Sequence, residues 1–183
     1  MLTDRDIENL RFHAERGMPQ TGHATILGLL LSGLHTSEIG YSTTDLDLAH
    51  ARVWAVGASR VTARYCPLSD DWVCEVLRLR AEFLLQRSNT DGSRALTTVV
   101  DGPAYRRQAS VCTAIGEIVR SSGTAPRGRS ATPRDVSSWV AAKVFRESGQ
   151  IADVALRFGL SSLDGAAPLA DYEWRPTPAE GDA

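Results

Sequence analysis

Apolar residues along this chain recur at two periods, and the switches between them lay out the elements. Ile7, Leu10 and Ala14 follow Thr3-Asp4-Arg5-Asp6 at helical spacing. Thr3 supplies a capping oxygen, and two carboxylates sit at the positive end of the helix. Thr21 to Leu34 (TGHATILGLLLSGL) is apolar at nearly every position, which predicts a central helix buried on most sides. A short helix is expected from Thr36. The period then shortens to two. Asp45-Leu46-Asp47-Leu48 reads as a turn, Arg52 to Val56 as a strand, Gly57-Ala58-Ser59 as a second turn and Val61 to Cys66 as the antiparallel partner. Pro67 cannot continue a ladder and ends the hairpin.

Helical spacing returns at Ser69-Asp70-Asp71, which caps an amphipathic helix to about Gln86 with Trp72, Val76, Leu79, Phe83 and Leu84 inward. Asn89 to Arg94 is a polar loop, and Ala95 to Val100 is expected to be a short strand. Pro103 opens a helix to about Ser122, and Gly123 to Ser130 forms a loop. Thr132-Pro133-Arg134-Asp135 starts a helix that Gly149 stops after Ser148, and another runs from Gln150 to Phe158. The tail from Pro176, PTPAEGDA, is expected to be disordered. The pattern predicts a mainly helical α+β domain around a small antiparallel three-stranded sheet. There is no internal repeat.

Bulk composition is that of a soluble globular chain: 183 residues, 43% hydrophobic and 23% charged. No apolar run reaches the roughly 20 residues of a membrane span, and no basic segment suggests a signal peptide. Cys66, Cys74 and Cys112 are odd in number and lack metal-ligand spacing, so buried thiols in a reduced cytosolic compartment are expected. The net charge of -2 argues against binding nucleic acid by bulk charge. Its distribution alters that picture. Residues 1–50 and 151–183 each carry -4, whereas 51–100 carry +2 and 101–150 carry +4. Such segregation allows one basic face. Nineteen of the 20 cations are arginine, Lys143 being the exception. Arginine's planar fork suits phosphate, although the bias is equally compatible with the base composition of the gene.

Five short segments, in order, resemble the catalytic domain of tyrosine recombinases, the phage-integrase family. They are Leu2-Thr3-Asp4, then Ser32-Gly33-Leu34-His35-Thr36-Ser37-Glu38, then Asp45 to Leu48 with Cys66-Pro67-Leu68, then Thr132-Pro133-Arg134-Asp135-Val136-Ser137, and last Phe158-Gly159-Leu160-Ser161-Ser162. The resemblance covers about residues 2 to 172. It implies one integrase-like domain over residues 1–175, without the N-terminal core-binding domain usual in active members, and a tail over 176–183. In that family a tyrosine attacks DNA phosphorus while two arginines and a lysine stabilise the pentacoordinate phosphorus and histidines assist.

The departures from the family pattern fall on that chemistry. The resemblance places His35 at the first arginine position, Ala58 at the hairpin lysine, Arg134 and Ser137 at the His-x-x-Arg pair, and Leu160 at the later histidine. Tyr172 lies near the nucleophile position but about three residues late. Each lost donor to a developing oxyanion removes about 2.7–4 kcal/mol of transition-state stabilisation. The expectation is a protein that is not an enzyme, needs no cofactor or metal, and binds double-stranded DNA as a transcriptional regulator or a phage- or plasmid-encoded repressor. The expected phosphate contacts are Arg60, Arg64, Arg106, Arg107, Arg127, Arg129, Arg134 and Lys143, with Arg60 and Arg64 also placed to swing into the vacated centre. Such a protein would be cytoplasmic and nucleoid-associated, and a monomer or weak dimer. Two alternatives stand beside this one. One is a protein-interaction module that regulates a recombinase or a nucleoprotein assembly. The other is an AraC-like helix-turn-helix, because Ile151 to Ser162 also resembles that family's second motif.

Overall fold

The computed structural model describes residues 1–39, 46–87, 96–97 and 102–173. Helix α1, Asp4–Ala14, starts with a full capping box: Thr3 accepts from the Asp6 amide, and the Asp6 carboxylate returns to the Thr3 amide at 2.8 Å. Helix α2, His23–Leu31, has no polar face, and every residue from Ala24 to Leu31 is buried. It touches α1, the one-turn helix α3 (Thr36–Ile39), α4 (Asp71–Arg87), α5 (Ala104–Ser122) and α6 (Pro133–Ser148). Burying each of its leucines contributes about 1.5–3 kcal/mol, which makes α2 the axis of the core.

The sheet is antiparallel with order β1-β2-β3: Leu46–Asp47, Arg52–Ala55 and Arg64–Pro67. Val53, Ala55 and Cys66 face the core, while Trp54 and Tyr65 pair edge-to-face outside it, with ring centroids 4.8 Å apart. Two expectations shift here. The strand expected at 61–66 begins only at Arg64, because Ala58 and Val61 close a tight turn by exchanging both backbone hydrogen bonds. The third strand comes from Leu46–Asp47, read from sequence as a turn. Of the stretch expected to be that strand, Leu96 and Thr97 form a bend, and Ala95 and 98–100 lie outside the described residues. So do Asp45, the loop 89–94 and the tail from 176.

Helix α4 is rotated from its expected phase: Val73, Val76, Leu77 and Arg80 are the buried positions, and Trp72, Leu79, Phe83 and Leu84 are half-buried. Arg80 turns the pattern. Its guanidinium, on a residue only 6% exposed, donates to the carbonyls of Leu96, Pro19 and Gln20 at 3.1, 2.7 and 2.9 Å. Burial pulls its pKa down. Helix α6 opens on Thr132 and Pro133 as expected and ends at Gly149 in the left-handed region. Helix α7, Ile151–Phe158, follows, and α8, Leu163–Ala166, is a single turn capped by Ser162. A one-turn α8 cannot lie along a major groove as a recognition helix, so the AraC-like register loses its reading element. Among the thiols Cys66 is buried but Cys112 is exposed on α5, against the expectation of buried cysteines. No helix among the described residues is long and apolar enough to cross a membrane.

Candidate nucleic-acid interface

Two helix ends converge beside His35, which the resemblance sets at the first arginine position. At the end of α2 the amides of Gly33 and Leu34 return to the carbonyls of Leu30 and Leu29. At the end of α7 those of Gly159 and Leu160 return to Leu156 and Ala155. Both are Schellman closures, and both need a left-handed residue: φ is 97° at Gly33 and 64° at Gly159. Space forbids a side chain as well. A Cβ on Gly33 would meet Arg157 Cγ at 2.8 Å, and one on Gly159 would meet Arg64 Nη1 at 2.6 Å and the Thr62 carbonyl at 2.7 Å.

Between these ends lies Arg64. Its Nε donates to the Arg157 carbonyl at 2.8 Å, and Nη2 donates to the Gly33 carbonyl at 3.0 Å. Nη1 donates to the Thr62 carbonyl at 3.1 Å. The fork grips the Glu38 carboxylate at 2.8 and 3.1 Å, so all five N–H groups have acceptors. The two side chains are 10% and 0% exposed. Arg64 is therefore a structural tie between hairpin and helical body, not the surface phosphate contact expected from sequence, and it has no donor left to swing into a phosphate site.

His35 faces the same junction. Its Nε2 lies 2.8 Å from the Phe158 carbonyl and its ring packs edge-to-face on Phe158, while its backbone amide donates to Glu38. Leu160 is half-buried against the core. Ala58 sits exposed in the hairpin turn, Ser137 donates to Pro133 within its own helix, and Tyr172 packs on Phe145 with centroids 4.7 Å apart. None of these hydroxyls or rings is hydrogen-bonded to His35 among the described residues.

A hydrogen-bonded trail leads outward from His35 to two basic segments. On one side the Thr62 amide donates to the Gly159 carbonyl, which seats the hairpin whose tip carries exposed Arg60. On the other, Gln108 donates to Thr36 Oγ1 at 3.2 Å, which seats the first turns of α5. There Tyr105 is 67% exposed and Arg106 is exposed. The first turn of α5 holds no acidic residue and Pro103 offers no side-chain cap, so among the described residues the positive end of the helix dipole is uncompensated. Arg107 curls back onto the Gly102 carbonyl. Exposed Arg134 stands on the first turn of α6.

The remaining sequence candidates divide. Arg129 is bound bidentately to Asp135 at 2.6 and 2.8 Å, which drops the Asp135 pKa to about 2 while Asp135 also closes the α6 capping box. Lys143 lies over Trp139 in a groove between α1 and α6 that Asp4, Glu8, Asp70 and Glu147 also line. Arg11 and Arg146 line it too, so the groove carries both signs of charge. The Arg127 side chain lies outside the described set. The Glu38–Arg64 pair is what sequence reasoning missed. The available signal was a glutamate beside Ile39 on a turn closed by apolar residues, since a carboxylate in such a place requires a guanidinium.

The crystal structure of XerA recombinase matches 92% of this chain with a TM-score of 0.70 at 18% sequence identity. This is a recombinase-like fold. The match spans 59% of the XerA chain. No protein-family profile and no curated protein matches the sequence.

Proposed function

We propose that this protein binds double-stranded DNA through the face around His35 and does not cleave it, acting as a regulator or a phage- or plasmid-encoded repressor. The observation that carries this reading is the state of the junction itself. Where the resemblance calls for an arginine there is a histidine tied to the Phe158 carbonyl, and the adjacent Glu38 is already saturated by Arg64. Transition-state stabilisation of phosphoryl transfer needs donors aimed at the phosphorus, and these donors are aimed at the protein's own backbone. Arg60, Arg106 and Arg134 engage no partner among the described residues and remain available to phosphates. Contacts of that kind fix register on a duplex, while bases must supply any specificity.

The test is binding to random duplex DNA at 50 and 200 mM salt. With three or four phosphate contacts the affinity should fall about 40- to 150-fold between those conditions, from a micromolar Kd. Incubation with a nicked, tyrosine-trapping substrate should yield no covalent protein–DNA adduct. Absence of binding even at low salt would favour a protein-contact module. One observation supports that second reading: Leu156 is 72% exposed on α7 beside exposed Tyr65, along a groove of about 420 Å3.

A further inference from the structure

From the hydrogen bonds of Arg64 we infer that this residue is a positioning residue for the hairpin tip, holding Arg60 in a fixed attitude for DNA; the inference rests on the DNA-binding reading above. An eight-residue connection between the paired strand ends, 56 to 63, is long enough to be a floppy finger. Here it is tied at three levels. Ala58 and Val61 exchange hydrogen bonds of 2.9 and 3.1 Å across the turn, leaving only Ser59 and Arg60 at the tip. The Thr62 amide donates to the Gly159 carbonyl at 2.9 Å, and the Arg64 side chain is fully committed, with five hydrogen bonds to four residues: Glu38, Gly33, Thr62 and Arg157. Gly159 leaves the room it needs, since a Cβ there would collide with its guanidinium. Three separate stretches of chain thus converge on one side chain whose only outward product is the placement of the hairpin. A phosphate contact made from a held backbone loses less conformational entropy than one made from a free loop.

The experiment compares wild type with three variants in DNA titrations across a salt series. Arg60→Ala should weaken binding and lower the salt slope by about one ion, as expected for a lost phosphate contact. The double variant Glu38→Gln with Arg64→Met removes the pair together, so no buried charge is stranded. It should keep its far-ultraviolet spectrum and weaken binding about fivefold. Adding Arg60→Ala to that double variant should then cost clearly less than it costs in wild type, because a loosened tip no longer delivers Arg60. Full additivity, or a double variant binding as tightly as wild type, overturns the inference. Amide exchange on wild type alone provides an arm independent of DNA and of variant folding. The Ala58, Val61 and Thr62 amides should exchange as slowly as those of the strands, and exchange at loop rates overturns the inference. If wild type fails to bind DNA while those amides are protected, the DNA-binding reading falls and the tie itself stands.

Discussion

A single guanidinium can serve opposite ends, and Arg64 and Arg80 illustrate how the surroundings choose. Among the described residues Arg80 is compensated by three carbonyls and no carboxylate. Arg80→Met should therefore destabilise the protein by about 3 kcal/mol by leaving those carbonyls unpaired, read as a lowered urea midpoint with an unchanged slope. Arg64 instead has a buried carboxylate, and Arg64→Met alone should cost about 3–5 kcal/mol by stranding Glu38. The same pair bears on chemistry. On the proposed reading, His35→Arg should give no cleavage in a covalent-adduct assay, because Arg64 already holds Glu38 and the resemblance puts Ala58 and Ser137 where the family has its lysine and second arginine. Thiols follow the same logic: burial pushes Cys66 up to about 11, so alkylation at pH 8 should modify Cys112 first and Cys66 only on unfolding.

At the scale of elements, helix ends do most of the positioning. The α6 cap is the clearest case, because Asp135 binds Thr132 and Arg129 together and its carboxyl is held at about 2. A carboxyl whose pKa is lowered by folding stabilises the fold above its unfolded value, near 4, and that contribution disappears as pH falls toward 2. Asp135→Asn should cost about 1 kcal/mol at neutral pH, a melting shift of roughly 2–4 °C, and the difference from wild type should shrink in acid. The cap, the proline start and the glycine stops were legible in sequence because each is a local device. The phase of α4 was not. Periodicity ranked Trp72 and Leu79 inward by hydrophobicity, whereas Arg80 was drawn inside by carbonyls from two distant loops. The third strand was missed for a similar reason: Leu46–Asp47 is two residues long and is made a strand only by its pairing with Arg52 and Val53.

For the whole molecule, charge that is segregated along the chain is only partly segregated in space. Of the eight arginine and lysine candidates, Arg60, Arg106 and Arg134 remain exposed without partners among the described residues. Arg64 is tied inside, Arg129 is paired with the α6 cap, and Lys143 lies among carboxylates. If the proposed DNA binding holds, fewer free cations mean a shallower salt slope than the sequence suggested and an isotherm that saturates only at micromolar protein.

The sequence by itself determined the helix order, the caps, the buried α2 and the resemblance to recombinases, because those depend on short-range pattern and on which residue types stand where. Tertiary structure alone decided what the arginines do. A guanidinium reads the same at every position in a sequence, but whether it faces solvent, a carboxylate or a ring of carbonyls depends on segments that meet only in the fold. Glu38 and Arg64 are 26 residues apart, and Arg64 and the Arg157 carbonyl are 93 apart. No local pattern carries that information.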